Sequence, residues 1–564
     1  MWQLERQTLQ AVLKRSTQFY PQRTALSYAD GNPINYSELK NQVDRLSAFL
    51  QDQGVAEGDR VAIVGENSPN WGIAFFAVTT MGAVAVPILP DFHASEVHHI
   101  LRHSESKAVF VSERFFHKIE DFDLNDFTAV VLLDDFSIIG ADTSKARLKK
   151  LLADGSKELK KIKSIVLRIA GILPIQIEEE SLASIVYTSG TTGHSKGVML
   201  SHKNLVSDAI STTEIVDVID EDRMLSILPL AHVYECTLGL ILPIMRGAAV
   251  YYLRKPPTAA IMLPALAAVK PTIILSVPLI IEKMYKSRIA PEIAKKKLIR
   301  LMYRFPLLRK RINKMAGKKL QAIFGGNLKM FCIGGAALSS EVEKFLREAG
   351  FPYAVGYGLT ETSPLIAGTN AKRTRFRSTG PPIPGVEIKI DHADPKTGEG
   401  EILVRGDTVM QGYYNDPDRT GEALSPDGWL KTGDLGFIDS DNYLYIKGRI
   451  KNVIVGPSGE NIYPEAIESI VNRSDVVLES LVFQDQDSLA VRIHLDYEKL
   501  DIEFSEKHLS ETEVQDHITL LLEDVRKQVN EQVSSFSRIG KVIEQTEPFE
   551  KTPTQKIKRY LYTN

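Results

Sequence analysis

Between Tyr187 and Gly197 the chain reads Tyr187-Thr-Ser-Gly-Thr-Thr-Gly-His-Ser-Lys-Gly197. These residue types suit the binding of a small anion. Gly190 and Gly193 free the backbone to turn its N–H groups inward. Thr188, Ser189, Thr191 and Thr192 add hydroxyls, and Lys196 adds a positive charge. Together they describe a phosphate cradle. It is not a Walker loop, which needs Gly-x4-Gly-Lys followed by Ser or Thr. Here Gly190 and Gly193 are too close, and Gly197 follows the lysine. The mostly apolar run Ala183–Val186 predicts a buried strand leading into the loop.

Five further segments follow in order. Gly356-Tyr-Gly-Leu-Thr-Glu-Thr-Ser363 offers an aromatic face, hydroxyls and a carboxylate. Gly400-Glu-Ile-Leu-Val-Arg-Gly406 leads to Val409-Met-Gln-Gly-Tyr-Tyr414. Trp429-Leu-Lys-Thr-Gly-Asp434 ends in an acid after a glycine, which suits a ribose diol. Lys447–Glu465 mixes basic residues with glycines, and its Pro464 is placed to open a helix. Lys551-Thr-Pro-Thr-Gln-Lys-Ile-Lys-Arg559 closes the chain with a basic cluster. An isolated Thr-Gly-Asp is a turn in most proteins, and a terminal basic cluster is usually a solvated tail. The weight lies in the order and the distances.

On these motifs the chain resembles the adenylate-forming, or AMP-binding, superfamily, and within it the long-chain fatty-acyl-CoA synthetases, from about residue 10 to the end. The resemblance implies a large N-terminal domain of several α/β and β-rich subdomains and a small mobile C-terminal domain. It also implies activation of a carboxylate by ATP and Mg²⁺ to an acyl-adenylate, then transfer to coenzyme A. Carried over by motif, Thr188 through Lys196 hold the ATP phosphates, and Thr188 and Glu361 lie near the metal. Tyr357 stacks on adenine beside Gly334, Gly335 and Ala336, with Gly358 in the same motif. Thr360 contacts the α-phosphate, and Asp434 takes the ribose hydroxyls with Arg449 alongside. Lys451 matches the hinge, and Lys556 matches the catalytic lysine of the mobile domain. Two departures are visible. Gln555 stands where a glycine often precedes that lysine, and His194-Ser195 stands where a proline is common.

The acid is read from the segment Leu228-Pro-Leu-Ala-His-Val-Tyr-Glu235, which resembles the wall of an acyl pocket. It holds no Asp to meet an α-ammonium, which disfavours amino-acid substrates. His232 and Tyr234 either line the tunnel or pack the core. Ser276–Tyr285 and Gly325–Gly335 also look like the long-chain branch. Two rival functions stay open: a ligase that loads an acyl-carrier protein, and a catalytically inactive lipid or nucleotide sensor.

The elements that must position these residues follow from pattern. The chain has 564 residues, 43% hydrophobic and 25% charged, which is ordinary for globular protein and enough for several domains. Its net charge of −3 argues against a polyelectrolyte binder, and no nucleic-acid partner is expected. The two cysteines, Cys236 and Cys332, form no disulfide framework and read as core thiols. Apolar runs at Val61–Val64, Ala83–Ile88, Ala108–Ser112 and Ala129–Leu133 predict strands. Helical patterns at Asn70–Thr80 and Ser95–His103 alternate with them, the signature of parallel α/β sheets. Phe75–Pro90 reads as a core helix followed by a buried strand. Dense Gly and Pro between Thr379 and Tyr414 predict a β-rich part. A boundary near Gly448–Lys451 divides domains 1–448 and 449–564. Within the second, Val514, Ile518, Leu521, Leu522, Val525, Val529 and Val533 fall at helical spacing.

Met1–Tyr20 has no apolar core of a signal peptide, and no run reaches a membrane span, so the expected location is cytoplasmic. Two basic stretches, 145–168 and 283–319, stand out. The second carries an apolar stripe and suits an anionic membrane surface, on the inner face; a solvated helix over the core is the alternative. The oligomeric state is left open.

Overall fold

In the computed structural model the protein is described for residues 4–139, 176–188, 195–456 and 460–563, apart from 296, 487, 508–509 and 553–555. The basic stretch 145–168 lies outside these residues. The architecture is mixed α/β, with sheets of three kinds.

Two seven-stranded sheets form the bulk of the chain. One runs, edge to edge, Gly412–Tyr413, Lys196–Ser201, Leu182–Thr188, Val84–Ile88, Arg60–Val64, Ala108–Val111 and Ala129–Leu132. From Leu182–Thr188 to Ala129–Leu132 every pair is parallel. Those strands are buried on both faces, which is why they read as unbroken apolar runs rather than alternating ones. The other sheet runs Tyr353–Val355, Met330–Ile333, Ile273–Ser276, Arg223–Ser226, Ala249–Tyr252, Thr24–Tyr28 and Gly31–Asn35. It is parallel except for the hairpin at its last edge.

The helix Pro69–Thr80 packs against strands of both sheets. Ser68 accepts a hydrogen bond from the Trp71 N–H, and Pro69 supplies a preset φ at the first turn. The helix is apolar all round and nearly all buried, as a helix between two layers must be. Trp71 and Phe75 stack at 5.6 Å within the core that joins the two sheets.

A four-stranded antiparallel sheet follows: Val386–Asp391, Gly400–Gly406, Leu430–Ile438 and Leu444–Arg449. It closes a small core of its own around Ile366, Ile402, Val404 and Leu444. After Arg449 the chain makes the short turn Ile450–Asn452 and enters a separate apolar core. That core holds the strands Val477–Asp485, Ser488–Leu495 and Ile539–Glu544 and the helices Pro464–Val471, Tyr497–Lys507 and Glu511–Asn530. Pro464 is the first residue of its helix, as its sequence position predicts. The last helix buries Ile518, Leu522, Val525 and Val529, the stripe read from their spacing.

Polar contacts fasten this C-terminal part to the rest. Lys286 Nζ donates to the Asn472 carbonyl at 2.5 Å, and Arg473 Nη2 donates to Ser340 Oγ at 2.8 Å. Tyr463 Oη donates to Glu399 Oε2 at 2.7 Å. Hydrogen bonds without much apolar burial are the type of contact that can be exchanged for others. Among the described residues, no helix is long and apolar enough to cross a membrane.

Candidate functional site

The strand Leu182–Thr188 does not pass into a helix. It turns back, and Lys196–Ser201 pairs with it antiparallel, with Thr188 opposite Lys196. The two described ends of the Gly/Ser/Thr segment therefore stand abreast. Ser189, Gly190, Thr191, Thr192 and Gly193 lie outside the described residues. Gly197 is required where the strands cross, because a Cβ there would sit 2.8 Å from Ile185 Cγ2 and 3.1 Å from Tyr187 Cζ. Thr188 ends the strand with a buried hydroxyl that has no hydrogen-bond partner among the described residues. A buried hydroxyl without a partner is costly, so a ligand oxygen or ion at this point would be bound favourably.

Lys196 reaches across to the second motif. Its Nζ lies 2.9 Å from Glu361 Oε1 and 2.6 Å from Tyr413 Oη. Tyr413 in turn donates to Glu361 Oε1 at 2.8 Å. Burial by itself would raise the Glu361 carboxyl, but the Lys196 charge and these hydrogen bonds outweigh it and hold the group below its ordinary value. Glu361 is therefore an anion kept charged by a cation and a phenol.

Backbone geometry sets that carboxylate in place. Tyr357–Gly358 pairs with Leu365–Ala367, and Thr360–Thr362 forms one tight turn between them. The chain folds on itself so closely that a Cβ on Gly358 would lie 1.8 Å from the Pro364 carbonyl oxygen. Met410 N–H donates to the Glu361 carbonyl at 2.9 Å. Thr360 stands half-buried at the start of the turn.

Asp434 and Arg449 face each other across the antiparallel strands Leu430–Ile438 and Leu444–Arg449. Arg449 Nε lies 2.7 Å from Asp434 Oδ1, and Tyr357 Oη donates to Asp434 Oδ2 at 2.6 Å. Arg449 Nη1 also donates to the Thr432 carbonyl at 3.2 Å. Burial raises the Asp434 carboxyl, with Arg449 and Tyr357 acting in the opposite direction. The acid of the Thr-Gly-Asp turn is thus joined to the aromatic residue of the Gly356–Ser363 motif, seventy-seven positions away in sequence.

Gly334, Gly335 and Ala336 follow the strand Met330–Ile333. Gly335 takes φ +84°, the left-handed region that favours glycine, and a Cβ on Gly334 would press the Tyr234 ring at 3.2 Å. Tyr234 Oη donates to the Cys332 carbonyl at 3.2 Å. His232 caps the next turn by accepting the Tyr234 N–H on Nδ1, which leaves the proton of the neutral ring on Nε2. Burial, and then the Lys556 charge, push His232 down to about 4, so the ring is neutral at neutral pH.

Lys556 arrives from the C-terminal part. Its side chain is exposed at the surface, and partial loss of water around the ammonium, then Arg449, lower it, while Asp434 and Glu361 pull it the other way. The same charge bears on His232. His232, Glu361, Asp434, Arg449 and Lys556 therefore surround one place. Lys451 sits exposed in the turn Ile450–Asn452, between the antiparallel sheet and the C-terminal core.

Sequence reasoning passed over two groups. Tyr413 was visible only as part of a Gly-Tyr-Tyr string, yet it bridges Lys196 and Glu361. Its strand Gly412–Tyr413 pairs beside Lys196–Ser201, which no local pattern announces. Glu235 is 1% exposed, and burial pushes its carboxyl up to about 8. It stands at the start of a π-helical stretch, Cys236–Ile241, and Oε2 has no partner. Of the two thiols, Cys236 is buried and Cys332 is half-buried; burial pushes both up, Cys332 to about 12.

The family model for AMP-binding enzymes matches residues 13–414. The long-chain-fatty-acid–CoA ligase FadD15 of Mycobacterium bovis is 30% identical over 475 residues, covering 80% of this chain and 75% of the relative. The long-chain-fatty-acid–CoA ligase heimdall of Drosophila melanogaster is 30% identical over 507 residues, covering 83% and 73%. The ATP-bound structure of MatB from Rhodopseudomonas palustris superposes with a TM-score of 0.75 at 22% identity, covering 99% of this chain and 98% of that one, which bears on the fold alone. The chain belongs to the AMP-binding enzymes.

Glu235 gives a pH signature. Its folded value of about 8 stands above the ordinary 4.5. The unfolded chain ionises first, so this group's contribution to stability is complete below about pH 4.5 and is lost as pH rises through about 8. Thermal unfolding of Glu235→Gln should therefore weaken less across that window than wild type. Parallel slopes for the two proteins would show that Glu235 is ionised in the fold.

Proposed function

We propose that this enzyme is an acyl-CoA ligase that activates a long-chain fatty acid with ATP and transfers it to coenzyme A. The observation that carries the reading is the convergence of three charged assemblies: Lys196 with Glu361, Asp434 with Arg449 and Tyr357, and Lys556 from the C-terminal part.

Two anions, a carboxylate and a triphosphate, must approach for the first step. Lys196 and the Gly/Ser/Thr segment take the phosphates, Asp434 takes the ribose hydroxyls, and Tyr357 with Gly334–Ala336 borders the base. A carboxylate oxygen then attacks the α-phosphorus. The bond to the bridging oxygen breaks, and pyrophosphate leaves. Thr360 and Lys556 stabilise the charge that develops on the α-phosphate. Among the described residues no group of three or more His, Cys, Asp or Glu side chains is placed to hold a metal. Mg²⁺ is usually held by one or two carboxylates together with substrate phosphates. The unpartnered Thr188 hydroxyl and the charged Glu361 fit such an ion, which neutralises phosphate charge when bound. In the second step the coenzyme A thiolate attacks the acyl carbon and AMP departs. Residues 449–564 act as a mobile domain that turns about Lys451 between the steps.

A long apolar acid is supported by three features. A cavity of about 30 Å³, lined mostly by apolar side chains with Thr212 among them, lies between Leu238, Leu242, Met224, Leu275 and Cys332, next to the Tyr234 contact. Room for about one water does not hold an acyl chain, so the wall Cys236–Arg246 must move, and its π-helical stretch is a weaker hydrogen-bond ladder than an α-helix. Glu235, protonated to about pH 8, offers no anion to an α-ammonium. The relatives at 30% identity carry long-chain ligase names.

Thioester formation should require ATP, Mg²⁺ and coenzyme A and should run faster on palmitate-length acids than on acetate or amino acids. Faster turnover of acetate would remove the long-chain assignment. Loading of an acyl-carrier protein without any reaction of free coenzyme A would favour the carrier ligase, and absent ATP–pyrophosphate exchange would favour a sensor.

Glu361→Gln should raise the Mg²⁺ concentration needed for half-maximal pyrophosphate exchange, at an unchanged melting temperature. Wild-type kinetics at low Mg²⁺ would make Glu361 a structural partner of Lys196 only.

Lys556→Ala should separate the steps. Adenylate formation should fall by roughly 10²–10³-fold, the effect of removing one preorganised donor. Transfer from preformed acyl-adenylate should be far less affected, and Lys451→Pro should show the reverse pattern. Single-turnover thioester formation measured beside pyrophosphate exchange reads both; equal losses for Lys556→Ala in both would contradict the rotating-domain mechanism.

A further inference from the structure

The helices Lys297–Tyr303 and Pro306–Ile323 stand outside the site. They meet at a corner, Arg304–Phe305, and are mounted firmly on one side only. The second helix buries Asn313, Gly317 and Leu320. Arg309 forks onto Glu348 at 2.7 and 2.9 Å, and Asn313 Nδ2 donates to the same carboxylate at 2.8 Å. A Cβ on Gly317 would come within 2.8 Å of Ala349, so the two helices cross in close contact.

The opposite face is different. Leu307, Lys310, Arg311, Lys314, Met315 and Lys318 are spaced i, i+3, i+4, i+7, i+8 and i+11, which places them on one side of the helix. All six are exposed. Four are cations and none is an acid. Lys319 is paired with Glu292, but among the described residues Arg300, Arg304, Lys310, Arg311, Lys314 and Lys318 have no ion-pair partner. At the corner, Leu298, Leu301, Phe305 and Leu307 are 68, 54, 57 and 79% exposed. This places four large apolar side chains beside Arg300 and Arg304 on a chain whose net charge is −3.

We propose that this face docks on an anionic lipid bilayer, with the apolar corner seated below the headgroups and the helix Pro306–Ile323 lying along them. The charge complementarity selects an anionic partner, and the apolar corner selects one with a hydrocarbon interior. Nucleic acid would satisfy the cations and leave Leu298, Leu301 and Leu307 in water. The docking is independent of which acid the site takes.

Co-sedimentation of the full-length protein with phosphatidylcholine vesicles, with and without phosphatidylglycerol, tests this. Binding should need the anionic lipid and weaken with salt, since exposed charge is screened over about 10 Å at 0.1 M. Reversing Lys310, Arg311 and Lys314 to Glu should lower the partition coefficient by at least about 100-fold, from roughly fivefold per charge near an anionic surface. Leu298→Ser with Phe305→Ser should lower it as well, at unchanged charge. Both variants alter exposed side chains, and unchanged thermal unfolding verifies that each is folded. Unchanged sedimentation of the charge-reversed protein would overturn the proposal. So would unchanged sedimentation of the serine variant combined with displacement from vesicles by duplex DNA, which marks a general polyanion surface.

Discussion

The antiparallel pairing of Leu182–Thr188 with Lys196–Ser201 carries the rest of the site. A strand pair has a two-residue side-chain period, so slipping this register by one residue would send Lys196 to the other face of the sheet. In the register found, Thr188 and Lys196 stand abreast at the mouth of the loop. From there Lys196 reaches Glu361 and Tyr413. The strand Gly412–Tyr413 adds to the free edge of the same hairpin, pairing Tyr413 with Val198. One ladder of hydrogen bonds therefore sets three side chains from distant parts of the chain. It also explains the demand for glycine at Gly197, where a Cβ would strike Ile185 and Tyr187.

Charge is managed by alternation rather than by a single strong cation. Lys196 lies against Glu361, Arg449 lies against Asp434, and Lys556 lies within the field of both acids. Glu361 and Asp434 each have a cation partner, which meets the cost of burying them. The neutral His232 and the protonated Glu235 keep further charge away from the apolar wall.

The two large sheets and the C-terminal core are joined differently. The sheets share one apolar core through Pro69–Thr80, with Trp71 and Phe75 stacked inside it. The C-terminal core is separate, and its junction includes Lys286–Asn472, Arg473–Ser340 and Tyr463–Glu399. A shared apolar core resists motion because separation exposes it to water, whereas polar contacts can be exchanged for water or for new partners. The two junctions thus differ in the kind of contact each uses.

The sequence by itself determined the strand–helix alternation and the helical stripe Ile518–Val529, and it named most of the charged residues that the fold brings together. Those depend on local periodicity and on residue type, which the chain carries explicitly. It also carried the loop composition, which by itself suits a surface turn as well as an anion site and gained weight from the motifs that follow it in order. It did not reveal that the two ends of the loop stand abreast, that Tyr413 completes the Lys196–Glu361 pair, or that Tyr357 is bound through its hydroxyl to Asp434. It left open whether Glu235 is charged and which residues of 283–319 face outward. Each of these depends on a partner tens to hundreds of residues away, or on how much water the surrounding fold removes. Only tertiary structure decides those, because pairing register and burial are properties of neighbours in space, and the sequence orders neighbours only along the chain.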